Sequence, residues 1–516
     1  MDPPPIHPAG RVRPGRAALR TLVAMPIDPR TPVLVGAGQH THRATGLDDA
    51  LDASALMEHA IRAAAADAGL SSVPQPDSIR VVGLLSHRYG DPAWVVADRM
   101  GLQPRETAVT PMGGNSPQSL VNSTSLQILA GELDLAILTG AEAWRTRMRY
   151  RKAGTQPDWP TAPEGQMPTV LGEDLTMSSD EERARGIVMP IQAYPMFETA
   201  IRAKAGRTPQ EHLDVISGLW SRFSEVAARN PYAWIQDAKT PEQIRDAGPG
   251  NRMVGLPYTK YMNSNNDVDQ GAALILCSAA KAEALGVPRD RWVFPLSGAD
   301  CHEHPFMSNR WSFAETPAVE LGGRLTLEMA GLGIDDIDIV DLYSCFPSAV
   351  QLGAQSLGLS LDRQLTRTGG LSFAGGPWNN YVRHSIATVV RELREQPGSK
   401  GLVWANGGFT TKHAFGVYST EPGDGFRHAY PQAEIDAMPQ RVLATGADAA
   451  GSAAVEAYTV MHDRDGNPEL AIASCLLADG RRAWGTSNEA GLAAAMCEGE
   501  WVGRAVTLDA EGTLHA

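Results

Sequence analysis

From residue 33 onward the chain alternates short β-branched apolar runs with Ala-rich stretches whose apolar residues recur every three or four positions, the pattern of a layered α/β fold. Val33-Leu34-Val35 reads as a buried strand ending in Gly36-Ala37-Gly38. A helix is expected from about Ala53 to Ala68, with Leu56, Ala60, Ile61 and Ala64 on one stripe and Gly69 as its C-cap. A strand over Ile79 to Leu85 follows. Val109 to Asn115 then runs into a glycine turn, a helix from about Ser119 to Leu129, and a strand Leu135 to Leu138 closed by Thr139-Gly140-Ala141-Glu142.

The second half repeats this grammar. A strand near Val293 to Leu296 ends in Ser297-Gly298-Ala299, and a helix from Ala318 to Ala330 stops at Gly331. The strand Ile337 to Leu342 ends in Tyr343-Ser344-Cys345-Phe346, with Pro347 where a first helical turn begins. After Gly375-Gly376-Pro377 come a helix from about Val382 to Arg394 and a strand Leu402 to Trp404 closing in Ala405-Asn406-Gly407-Gly408. Two similar halves imply a duplicated fold whose loops meet at one site. Between them, Trp144 to Met262 is an insertion with helices of its own. In one of these Thr208 caps, Pro209 fits the first position and Glu211 completes a capping box. After Pro422 the pattern turns to alternating strands, Ala454 to Met461 and Leu470 to Leu477, as in a separate small β domain.

Composition narrows the function classes. With 516 residues, 43% of them hydrophobic, the chain exceeds one small core. Its formal charge of -14 disfavours nucleic acid and anionic membranes as partners. The apolar runs are strand-sized, so no membrane span is expected. Five cysteines without CxxC spacing argue for a reducing cytoplasm and buried thiols rather than disulfides or a zinc finger. Residues 1–24, Pro- and Arg-rich and ahead of Met25, read as a disordered extension or a start placed too early. Cys301-His302-Glu303-His304 lacks further ligands at a recognisable spacing and reads as a polar loop. Gly36-x-Gly38 has Thr41 at the third-glycine position, so a dinucleotide is rejected. No cofactor or metal is expected.

The two halves, the insertion and two further motifs together resemble the thiolase superfamily, in particular the sterol-carrier-type thiolases. The motifs are Gly131-Glu132-Leu133-Asp134-Leu135-Ala136-Ile137-Leu138-Thr139-Gly140-Ala141-Glu142 and Asp269-Gln270-Gly271-Ala272-Ala273. With its C-terminal β domain the chain looks like the mycobacterial thiolase-like proteins of type 1. The resemblance covers about Pro32 to Pro422. It implies a duplicated, five-layered αβαβα fold of the acetyl-CoA acetyltransferase family that holds a coenzyme A ester as substrate or ligand. The implied division is 25–143 with 263–292 as the first half, 144–262 as an acyl-CoA-binding loop domain, 293–422 as the second half, and 423–516 as an added β domain. Thiolase-related aldolases lack the cysteines and work with an OB-fold partner; here the C-terminal domain looks like such an OB-like module fused in cis, compatible with a monomer as well as a homodimer.

The thiolase nucleophile is a cysteine at a helix N-terminus, where the dipole favours thiolate. The matching position here is Gly114, followed by Asn115 and Ser116, and neither of these restores a thiolate; the ordinary role for Ser116 is an N-cap. Tyr343 stands where the family holds an oxyanion-binding Asn or His. Its phenol could donate a hydrogen bond or, with its pKa lowered from about 10, move a proton; alternatively it is a buried, merely hydrogen-bonded tyrosine. Gly376 replaces the activating imidazole, and Ala405, ahead of Asn406 and Gly407, replaces the acid/base cysteine. Losing such a coupled set costs about 10⁶ in rate, which excludes cysteine-dependent thiolysis. Lys412 and His413 follow closely, and His413 is a candidate base or else a structural histidine. Three coenzyme A phosphates need cations, for which the insertion offers Arg202, Lys204, Arg207, Arg222 and Arg252, each by itself ordinary as a surface charge. The expected function is carbon–carbon bond chemistry on a coenzyme A ester, with Tyr343 and His413 as acid and base and amides near Gly114 and Gly407 as donors. The rival is a non-catalytic acyl-CoA or lipid binder.

Overall fold

The computed structural model describes residues 27–516, so the N-terminal extension lies outside the described residues. The first mixed sheet contains β1 (Pro32–Thr41), β2 (Ser78–Val81), β3 (Glu106–Val109), β4 (Leu135–Ala143), β5 (Thr169–Val170) and β6 (Asp269–Ser278). Their order is β1-β6-β4-β2-β3-β5. The second sheet contains β7 (Phe294–His302), β8 (Ile339–Leu342), β9 (Lys400–Gly407), β10 (Lys412–Ser419) and β11 (Arg427–Ala429), ordered β8-β9-β10-β7-β11.

The duplication expected from the sequence is visible in four strands of each sheet. In β1-β6-β4-β2 the first two pairings are antiparallel and the third parallel, and β7-β10-β9-β8 has the same senses. Helices Ser116–Ala130 and Tyr381–Glu395 contact both sheets and lie between them, while Ala53–Asp67 and Pro317–Met329 cover the outer faces. The layers therefore run helix, sheet, helix pair, sheet, helix.

Several element ends differ from expectation for one reason, which is that glycine in this chain often marks close packing rather than a turn. Gly36 and Gly38 lie inside β1, not at its end. A Cβ on either would run into the backbone carbonyls of Ala64 or Ala60, so the strand and the Ala53–Asp67 helix meet backbone to backbone. Likewise Gly140 and Gly298 lie within β4 and β7, which run on to Ala143 and His302. The helix expected from Ser119 begins at Ser116, with Asn115 as an N-cap whose side chain makes no capping bond to the helix backbone; Ser116 is not the cap. The Thr208 capping box is present, with Thr208 N–H to Glu211 at 2.9 Å and Glu211 N–H to Thr208 at 3.3 Å.

The C-terminal strands are β12 (Gly451–His462), β13 (Pro468–Leu477), β14 (Arg482–Ser487), β15 (Ala505–Leu508) and β16 (Leu514–His515). They form an antiparallel path β14-β13-β12-β15-β16 with an apolar core of its own, including Tyr458, Val460, Cys475, Trp501 and Leu508. A parallel bridge between Thr486 and Thr513 draws β14 toward β16, and Thr486 N–H donates to Gly512 O at 2.9 Å. Helix Ala490–Glu498 connects β14 to β15.

The buried Arg482 ties this unit to the rest. It is held by both oxygens of Glu456 at 2.8 Å and donates to the carbonyls of Met307, Ser308 and Arg310. Arg310 in turn donates to Phe409 O at 2.6 Å and Thr411 Oγ1 at 2.9 Å, in the loop that joins β9 to β10. Among the described residues no helix is long and apolar enough to cross a membrane.

Gly38→Ala is expected to destabilise the fold by about 1–3 kcal/mol, because its Cβ meets helix backbone that cannot rotate away. Chemical denaturation of the two proteins side by side checks this.

Candidate active site

Four chain turns that the duplication brings together form the site, at the ends of β8 and β9 and at the N-termini of the two central helices. A cavity of about 660 Å³ opens among Gly113, Gly114, Tyr343, Cys345, Trp378, Asn379, Gly408 and Phe409. The segment before and at the start of helix Pro190–Lys204 supplies an apolar wall of Met177, Val188, Met189 and Ile191.

Gly114 and Tyr343 are fitted to each other. A Cβ at 114 would sit 2.5 Å from the Tyr343 hydroxyl and closer still to Asn406 O. The phenol thus fills the space that a nucleophilic side chain on this turn would need. Gly407 makes the same demand from the opposite side, since a Cβ there would lie 2.6 Å from Asn115 Oδ1 and 3.0 Å from Gly114 N. The third turn still reaches the first through Asn379, whose Oδ1 accepts from Gly113 N–H at 3.0 Å and whose Nδ2 donates to Gly83 O at 2.6 Å. Gly376 N–H donates to Asn265 O at 2.8 Å.

Tyr343 does not have the lowered pKa that base catalysis would want. Burial, then the neighbouring Cys345, Tyr194 and Tyr381, push it well above the ordinary tyrosine value. At neutral pH it is a phenol, a donor aimed at whatever occupies the cavity. Burial likewise lifts the Cys345 thiol to about 12, so the one cysteine in the cavity is not a thiolate.

Tyr194 was not legible in the sequence, because the insertion delivers it from far along the chain. Its hydroxyl donates to Gly408 O at 2.9 Å and accepts from Asn406 Nδ2 at 2.9 Å and Thr410 N–H at 3.0 Å. It clamps the fourth turn, where Thr410 has a φ of 50°. Trp378, on the third, has a φ of 45°. A non-glycine residue in this left-handed region costs about 1–2 kcal/mol, so both turns are held in shape by their surroundings.

His413 and Tyr343 are not brought together. His413 is buried on β10 with its ring against Trp404, 5.8 Å between centroids, and it belongs to the lining of a different cavity. Burial, then Arg310 and His302, hold its pKa well below 6.5, leaving the ring neutral at pH 7. Ala405 is buried within β9 and Ser116 faces the other cavity, as does Asn115.

The cations of the insertion are engaged elsewhere. Arg202 is buried against Glu500 at 2.6 Å and the Tyr458 hydroxyl at 3.3 Å, tying helix Pro190–Lys204 to the C-terminal strands. Lys204 pairs with Glu315 at 2.6 Å, Arg222 donates to Leu361 O at 2.8 Å, and Arg252 donates to Met253 O at 2.8 Å and Asp463 O at 3.1 Å. Arg207 lies beside His212. None of the five is among the described residues lining the cavity. The cation that does line it is Arg183, paired with Asp180.

Comparison with known proteins follows the same outline. Residues 431–513 match the family described as the thiolase-like protein type 1 additional C-terminal domain. A monomeric SCP2-thiolase-like protein type 1 from Mycobacterium smegmatis is 31% identical and superposes with a TM-score of 0.80 over 94% of this chain and 98% of its own. The Ltp2-ChsH2(DUF35) aldolase, 18% identical, has a TM-score of 0.57 over 76% of this chain and 98% of its own, a likeness of fold alone. Among curated proteins, the benzoylsuccinyl-CoA thiolase subunit BbsB of Thauera aromatica is 24% identical over 241 residues, 43% of this chain and 59% of that protein. An acetyl-CoA acetyltransferase of Methanothermobacter thermautotrophicus is 26% identical over 255 residues, 46% of this chain and 63% of that protein. The chain thus spans about three fifths of the length of these two curated relatives.

The steric fit at 114 is open to a double-mutant cycle. Gly114→Ala is expected to cost about 1–3 kcal/mol, and less in a Tyr343→Ala background, where the phenol no longer competes for the space. Denaturation midpoints of the four proteins read the coupling.

Proposed function

The chain belongs to the SCP2-thiolase-like proteins of type 1 within the thiolase superfamily, and from that premise we propose that its cavity holds a coenzyme A ester and makes or breaks a carbon–carbon bond, by aldol or Claisen chemistry, with no acyl-cysteine. The observation that carries this reading is the exchange at the first turn, where glycine has replaced a nucleophile and a phenol has taken its space. Tyr343 Oη makes no hydrogen bond to another described residue and lines the cavity, free to donate to a ligand. The Gly114 amide, with no acceptor among the described residues, supplies a second donor.

In the cleavage direction, on a 3-hydroxyacyl ester, the C2–C3 bond breaks and its electron pair enters the thioester as an enolate. Gly114 N–H holds the enolate oxygen. Tyr343 O–H donates to the same oxygen and stays a phenol throughout, while the 3-hydroxyl proton leaves to water as the carbonyl product forms and C2 then takes a proton from water. Loss of one such donor costs about 10²–10³ in rate.

The second reading, an acyl-CoA or lipid binder without turnover, draws on a separate observation. No carboxylate or imidazole is among the described residues lining the cavity, and Tyr194, Tyr343 and Cys345 are all pushed up by burial.

The remaining assignments rest on this reading. An OB-like character for the C-terminal unit is supported by its strand order, by the parallel closure of β14 on β16 and by the helix between its third and fourth strands. A monomer is supported by β5, which pairs with β3 and covers the outer edge of the first sheet. Five free cysteines support a cytoplasmic setting.

Incubation of the protein with 3-oxoacyl, 3-hydroxyacyl and steroid coenzyme A esters, read by mass spectrometry, tests the proposal. Wild type is expected to cleave at least one class and Tyr343→Phe to be at least about 100-fold slower. Stabilisation by the esters with every substrate left intact would replace the enzyme by the binder.

A further inference from the structure

The catalytic turn has a second cavity behind it. About 560 Å³ in volume, it lies across the Met112 to Asn115 turn from the first, and Met112 is the residue that lines both. Ser116, Ser119, Leu120 and Ser123 form its wall from one face of the Ser116–Ala130 helix, opposite Leu171, Leu175 and Tyr430. A volume of this size, part apolar and part polar, is that of a small-molecule site.

Its charges are unequally satisfied. Asp300 is fully engaged, receiving Asn122 Nδ2 at 2.8 Å, the Ser119 hydroxyl, and His428 Nε2 at 2.8 Å. Lys412 is 6% exposed, yet no carboxylate lies within ion-pair distance of it among the described residues. Its ammonium donates to Met112 O and otherwise faces the cavity, with two of three protons left over. Glu173 and Asp174 are near enough to act on it electrostatically but are exposed on the rim. A buried cation without a counterion is costly, and the cost is relieved when an anion enters.

We propose that this second cavity is a binding site for an amphipathic monocarboxylate, its carboxylate on the Lys412 ammonium and its apolar body against Leu120, Leu126, Leu171 and Tyr430. Leu126 and Tyr430 are 41% and 59% exposed, an apolar mouth through which such a ligand enters from solvent. The inference is independent of the chemistry assigned to the first cavity.

Calorimetric titration of the full chain with 2-naphthoate, and with 2-naphthamide as its uncharged counterpart, tests it. One saturable site is expected, at least tenfold tighter for the acid. Lys412→Met is expected to bring the acid down to the affinity of the amide. Because that variant also loses the tie to Met112 O, Ser123→Trp provides the second arm. It places an indole in the cavity from an exposed position on the helix and is expected to abolish binding of both compounds while leaving the melting temperature and any stabilisation by coenzyme A esters unchanged. Absence of saturation in wild type, or undiminished binding in Ser123→Trp, would overturn the proposal.

Discussion

The structure turns on a contact that admits no Cβ, where the Gly113-Gly114 turn passes under the Tyr343 phenol and against the backbone of Asn406 and Gly407. Packed interiors do not stretch to accommodate an added carbon, so this contact limits which residues the turn can carry. Any side chain at 114 must displace both the phenol and the Asn406 carbonyl of the fourth turn. The same contact fixes the phenol in turn, since Tyr343 is buried with Tyr381 edge-on at 5.7 Å and Trp404 O accepting its amide at 3.1 Å. A cysteine introduced at 114 by itself would therefore meet the phenol and the backbone of the fourth turn.

The rest of the molecule keeps those turns in register. Duplication places the end of β9 opposite the first turn, and the two central helices hold the sheets apart by one helical layer. The insertion sends Tyr194 to clamp the fourth turn. From the far side, the C-terminal unit reaches that turn through the run from Glu456 to Arg482, the carbonyl of Arg310, and Arg310 itself to Phe409 and Thr411. Breaking such a buried pair by removing one partner costs about 3–5 kcal/mol, so the added unit is energetically part of the site's frame.

Much of the fold could be read from the chain because period and punctuation are local. The helices over Ala53–Asp67, Pro209–Arg229 and Tyr381–Glu395 and the alternating strands after residue 450 follow from spacing and caps. The ends of β1, β4 and β7 did not, since a glycine that turns and a glycine that touches look the same in sequence. At the site, Gly114 and Tyr343, placed by register with the family's turns, both line the first cavity, whereas Gly376 and Asn406 are not among its lining residues. Tyr194 and Asn379 were not legible in the sequence, because their roles arise from long-range packing. His413 and the arginines of the insertion illustrate the converse limit. Nearness in sequence put His413 beside the site, but its ring is buried against Trp404 and it borders the second cavity instead. Charge type suggested phosphate for Arg202, whereas burial against Glu500 gave it a structural partner.

A crystal structure of the protein with a non-cleavable coenzyme A ester bound tests the central claim most directly. The account predicts the thioester oxygen within hydrogen-bond distance of both Tyr343 Oη and Gly114 N, in a cavity whose first turn has not moved. A thioester placed away from both donors, or an acyl group carried on Cys345, would contradict it.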